Sequence, residues 1–178
     1  MITLLRFFQG LASRARALFY RQLGMKIEGK CWLRAIEVPR GHRDIRLAAG
    51  VALDRGVVLL ISGKSRDSEK IVIGHTAYIN RGTMIDASER VEIGANAMLG
   101  PFCYITDHDH VIGSADDLVS KPTRIGARCW LGAHVTVLKG VSIGDDTVVG
   151  AGSVVTKSLP ARVIAVGNPA RVLREIAP

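Results

Sequence analysis

Along residues 125–160 a large aliphatic side chain recurs every six positions, at Ile125, Leu131, Val137, Ile143, Val149 and Val155. The fifth place of the first five blocks holds Cys129, Val135, Val141, Thr147 and Ser153, all small or β-branched, and glycine follows four of the leaders. A period of six matches neither an amphipathic helix, at 3.6, nor an alternating strand, at 2. Short strands joined by tight bends do match it, with the first and fifth side chains turned inward, charged ones outward, and glycine where the chain bends or crowds. The pattern predicts a parallel β-helix whose coils stack about 4.8 Å apart.

The same phase runs upstream through Ile27 and Leu33, Leu47, Leu53 and Leu59, Ile73, Ile79 and Ile85, and Ile93, Leu99 and Ile105, with Pro39 breaking the third block. Coils therefore start at 27, 47, 73, 93, 125 and 143, and against an 18-residue coil the gaps carry 2, 8, 2, 14 and 0 extra residues. Residues 39–44 and 62–70 read as turn and surface-loop excursions, and the largest insertion, 106–124, as the loop where function is to be sought. Ahead of the coils, Leu4, Leu5, Phe7, Phe8, Leu11, Ala12, Ala15, Leu18 and Phe19 fall in one helical arc. Arg6, Gln9, Ser13, Tyr20 and Arg21 lie opposite, with Arg14 and Arg16 at the edges and Gly24 as the stop. The organisation expected is an amphipathic helix over 1–24, a β-helix over 25–160 and a C-terminal extension over 161–178. The helix's apolar face is expected to cover the open end of the β-helix or a sister subunit; a membrane surface is the other candidate.

Composition agrees with a narrow aliphatic core, since 48% of residues are hydrophobic but only 5% aromatic. The net charge of +8 sits at the amino end: residues 1–46 hold ten Lys or Arg against three acids, and the remainder fourteen against thirteen. No basic-aromatic motif follows, so nucleic acid is not an expected partner. Cys31, Cys103 and Cys129 all fall at small fifth places and read as reduced core residues of a cytoplasmic protein. No apolar run reaches membrane-spanning length, and the start lacks the order of a signal peptide.

The insertion reads ITDHDHVIGSADDLVSKPTRIG and places His108 and His110 among Asp107 and Asp109, off the core positions. An imidazole near its reference pKa of about 6.5 accepts a proton at neutral pH, as a general base must. G-x-S-x-G is absent, and inward-facing cysteines are poor nucleophiles.

Above all from Lys121-Pro122 onward, the chain resembles the hexapeptide-repeat acyltransferases, specifically the branch with maltose and galactoside O-acetyltransferases and polysaccharide-cluster acetyltransferases. The resemblance is close over residues 71–176 and loose before that, and its most specific part is the Trp130-Leu131-Gly132 step, the Gly150-Ala151-Gly152-Ser153 coil, the Val155-Thr156-Lys157 turn and the Gly167-Asn168-Pro169-Ala170 exit. It implies a left-handed parallel β-helix, all-β apart from the helix, a homotrimer with sites between subunits, and acetyl-CoA as donor co-substrate. Thr106-Asp107-His108 matches the family's Thr-x-His context, which makes His108 the implied base and His110 the runner-up; Asn80 matches an acceptor-side asparagine. Trp130, Gly132, Ala133, Gly150, Ala151, Thr156 and Lys157 match donor-groove positions, and Arg171 and Arg174 are cations for its phosphates. The implied reaction is direct acetyl transfer to a sugar or glycan-precursor hydroxyl, with the N–H of Gly132 or Ala133 steadying the oxyanion. Three alternatives stay open: N-acylation of an amino sugar; a zinc enzyme using His75, His108 and His134, although no metal site is expected; and a non-catalytic assembly or membrane-docking module. The expected location is the cytoplasm, with the inner face of the membrane as a contact for residues 4–19.

Overall fold

Each inward-facing leader stacks on the leader of the next coil, and the stacks make three flat parallel sheets. The computed structural model describes residues 2–63, 68–114 and 117–177. In the first sheet Ile27, Leu47, Ile73, Ile93, Ile125 and Ile143 are register partners in succession. These are the coil starts that the hexapeptide pattern predicts. The second sheet aligns Leu33, Leu53, Ile79, Leu99, Leu131, Val149 and Ala165. The third aligns Leu59, Ile85, Ile105, Val137 and Val155. Parallel pairing lets like side chains stack on like, so the core is a column of Ile, Leu and Val, nearly all with no exposed surface. The fifth places line the same interior: Val51, Ala77, Cys103, Cys129, Val135 and Ser153 are all buried.

The repeat departs from its pattern in three places. In the first coil the third leader is Val38 and not Pro39, because the bridge from Glu37 to Val58 sets Val38 beside Leu59 and Val38 is buried. The block before it is one residue short, and Ala35 takes the sharpened corner in left-handed backbone at φ 26°. Residues 39–44 include a short 3₁₀ turn, His42–Asp44. Past Pro160 the winding continues: Val163–Gly167 adds a rung to the second sheet, and Ala170–Glu175 folds back antiparallel on it.

The helix runs Ile2–Gln22, and its polar side is the one that meets the β-helix. Ser13, Ala17 and Tyr20 are buried, whereas Phe7, Phe8, Leu11, Leu18 and Phe19 are exposed. This reverses the expectation that the apolar face would cover the open end. An open β-helix end presents a row of unpaired peptide groups, and these need polar partners more than they need hydrocarbon. Ser13 Oγ accepts the Leu33 N–H at 2.8 Å and donates to Cys31 O at 3.3 Å; Arg16 donates to Leu33 O at 3.1 Å. Tyr20 Oη donates to Ile36 O at 3.2 Å, and the Arg21 guanidinium to Ile27 O and Gly29 O at 3.0 and 2.6 Å.

Candidate active site

The 106–124 insertion is an ordered hairpin over its described residues. The chain leaves the third sheet at Thr106 and pairs His108–His110 antiparallel with Leu118–Ser120. Asp107 anchors it. Its carboxylate, with no exposed surface, accepts the backbone N–H groups of Ser88, Glu89 and Arg90 at 2.8, 2.7 and 2.5 Å. Three donors on one carboxylate fix its position and pin the base of the hairpin to the preceding coil. An ion pair from Lys139 to Asp109 ties the outer arm to the following coil.

His108 follows directly, buried on the outer side of the coil with 5% of its side chain exposed. Its Nδ1 lies 2.9 Å from Asp107 Oδ1. An ionised carboxylate only accepts, so Nδ1 carries the proton and Nε2 keeps its lone pair. Nε2 is 3.8 Å from Asp86 Oδ2, and Ser62 Oγ donates to Asp86 Oδ1 at 2.6 Å. These groups border a cavity of about 420 Å³ that Arg40, Leu60 and Leu118 help to line. His110 is exposed at its rim, its ring 6.4 Å from that of His108 and nearly perpendicular to it. The arrangement is a base with an orienting acid behind it and a polar cavity in front. Asp107, Asp86, Ser62 and Arg40 were not foreseen; the signal for Asp86 is an acid directly after a leader, in the block Ile85-Asp86-Ala87, where a side chain borders the corner.

The other predicted residues sit elsewhere. Met98, Trp130, Val148, Ile164 and Arg174 form one lateral row on the outer face of the second sheet, with Met98 and Trp130 exposed, Val148 and Ile164 half-buried, and a cation at the end. Gly132, Ala133, Gly150 and Ala151 occupy the next corner, stacked so tightly that a Cβ on Gly132 would stand 2.6 Å from Ala151 N. Gly132 N–H donates to Val149 O at 2.8 Å and is spent in the ladder; Ala133 N–H has no acceptor among the described residues. Thr156 and Lys157 follow the third sheet, on the corner that also carries Thr106 and Asp107. Arg171 is exposed on the terminal hairpin. Asn80 is half-buried after the second sheet, its Oδ1 accepting the Arg81 N–H at 2.8 Å, and does not line the His108 cavity. His75 lies on the corner between the first and second sheets and His134 on the corner of Gly132 and Ala133, stacked on Phe102 at 5.3 Å, and one chain does not bring them to His108.

Residues 122–157 match the family described as the hexapeptide repeat of succinyl-transferase. Over 128 residues the chain is 38% identical to the putative colanic acid biosynthesis acetyltransferase WcaF of Escherichia coli, covering 71% of this chain and 70% of that protein. The chain belongs to the hexapeptide-repeat acyltransferase family. Galactoside O-acetyltransferase of Escherichia coli is 41% identical to this acyltransferase over 110 residues, 60% of this chain; the match spans only 54% of that relative's length. A variant of perosamine N-acetyltransferase from Caulobacter crescentus, solved with CoA and GDP-perosamine, aligns at a TM-score of 0.59 and 28% identity, covering 92% of this chain and 66% of the other. As in any acyltransferase, a thiol nucleophile is an option to be weighed, and here burial pushes the thiols of Cys103 and Cys129 above their ordinary range. Both instead donate inside the coil, to Gly132 O and Gly144 O at 3.1 Å.

Proposed function

We propose that the protein transfers an acetyl group from acetyl-CoA to a hydroxyl of a sugar or glycan precursor, directly and with His108 as general base. The observation that carries this reading is the buried pair in which Asp107 fixes the tautomer of His108 and leaves Nε2 facing a polar cavity. The acceptor hydroxyl gives its proton to Nε2 as its oxygen attacks the thioester carbonyl. The imidazolium so formed lies between the carboxylates of Asp107 and Asp86, which stabilise it as it appears. The tetrahedral intermediate then expels the CoA thiolate, which takes the proton back from Nε2. Ala133 N–H is the better oxyanion donor, Gly132 N–H being already bonded.

The donor fits the second sheet: an apolar row through Trp130 suits an extended pantetheine chain, the small residues at 132, 133, 150 and 151 admit it closely, and Arg174 stands at the far end for phosphate. Base and donor surface lie at different corners of one chain. A homotrimer, with the groove between neighbouring copies, unites them. Asn80, on the donor-side corner, would then reach the acceptor from the adjoining subunit.

An amine could replace the hydroxyl as acceptor, and the likeness to an N-acetyltransferase over nearly the whole chain favours keeping that reading. Release of CoA thiol from acetyl-CoA, measured against a panel of hexoses, amino-hexoses and their nucleotide-linked forms, separates the two. Turnover with hydroxyl acceptors lacking any amine supports O-transfer; turnover confined to amino sugars reassigns the acceptor. Failure to bind CoA at all would leave a non-catalytic scaffold.

A further inference from the structure

The outward face of the N-terminal helix takes no part in the proposed acetyl transfer. Because Ser13, Arg16, Tyr20 and Arg21 are turned inward to cap the first coil, the apolar arc is left in solvent: Phe7, Phe8, Leu11, Leu18 and Phe19 are 44–61% exposed. They recur at helical spacing and make one continuous stripe, well beyond the scattered apolar residues of an ordinary surface. Arg14 is exposed beside the stripe, and residues 1–27 hold no acid; of their five Lys or Arg, Arg16 and Arg21 bond coil carbonyls and Lys26 pairs with Glu69 at 2.9 Å. Beside the stripe, the helix and first coil enclose a groove of about 410 Å³ lined by Arg14, Leu18, Lys30 and Trp32, which places cations around an apolar floor.

We infer that this face docks the protein on an anionic lipid surface. A second copy of the same face is a poor occupant, since it would bring two cation-rimmed stripes together with no acid to offset them. A bilayer bearing anionic headgroups supplies both requirements at once, hydrocarbon at the depth of the phenyl rings and negative charge at the level of the arginines. The helix lies in the interface and does not cross it: among the described residues no helix is long and apolar enough to span a membrane. Docking leaves the Asp107-His108 pair untouched, so the inference stands or falls separately from the proposed chemistry.

Vesicle co-sedimentation of the full chain tests it, with phosphatidylcholine vesicles made with and without phosphatidylglycerol. Wild type should partition to the anionic vesicles at least about tenfold more than to the neutral ones, less so as salt rises. The double variant Phe8→Ser/Leu18→Ser should lose that binding while keeping its melting temperature and solution mass, since both side chains are exposed. Arg14→Glu, with the apolar stripe intact, should weaken binding to anionic vesicles several-fold. No sedimentation of wild type with anionic vesicles would overturn the inference. So would a drop in solution mass of Phe8→Ser/Leu18→Ser, which would make the stripe an interface between copies.

Discussion

Asp107 accepts three backbone N–H groups and faces His108 Nδ1, so it organises the hairpin and the imidazole together. An asparagine in its place offers one acceptor oxygen and sets an NH₂ against N–H donors. Asp107→Asn should therefore cost about 1–3 kcal/mol of stability in urea unfolding and lower kcat as well, because the tautomer of His108 is no longer held. Equal kcat in this variant would mean that Asp107 serves structure alone. The thiols give a complementary expectation: N-ethylmaleimide should leave activity intact near neutral pH, because Cys103 and Cys129 are buried with raised pKa values. The Thr106-Asp107-His108 match already ranks His108 ahead of His110. The physical difference between them was not legible, since it depends on hairpin pairing that turns His108 in and leaves His110 at the rim.

At the scale of the element, the helix was legible in extent but not in orientation. The periodicity locates the arc, and the usual inference that the arc faces the protein assumes that the surface beneath is hydrocarbon. Here the surface is a coil edge of peptide groups, and Ser13, Arg16, Tyr20 and Arg21 answer it. Deleting residues 1–20 should thus loosen the coil that begins at Ile27, with faster amide exchange at Leu33, while amides from Leu47 onward keep their protection. Unchanged exchange at Leu33 would show that water caps the edge equally well. The last rung was likewise missed, since Val163, Ala165 and their neighbours follow Pro160 out of the six-residue phase.

The β-helix itself was legible almost to the residue, because a stacked repeat writes its register into the sequence: a leader out of phase would leave the column and expose its side chain. Glycines after the leaders carry the same logic, with a Cβ on Gly94 falling 2.5 Å from Ala127 N in the next coil. Gly94→Ala should lower stability by about 1–3 kcal/mol, read from chemical denaturation. The site was less legible because the hexapeptide phase positions Ala133 on one corner and Thr106 on another, and on the reading proposed above a second copy would join them. Light scattering should accordingly give a mass near three chains, and a catalytically active monomer would remove the intersubunit groove.

Whether His108 is the base is decided by the kcat of His108→Ala, set beside that of His110→Ala and beside acetyl-CoA affinity measured independently. A general base contributes about 10² to 10⁴ in rate, roughly 3–5 kcal/mol of barrier. The expected result is a loss of that size in kcat for His108→Ala, acetyl-CoA affinity held within a few-fold, and a much smaller effect for His110→Ala. Both variants retaining more than about a third of the wild-type kcat, against the far larger loss expected of a missing base, would contradict it.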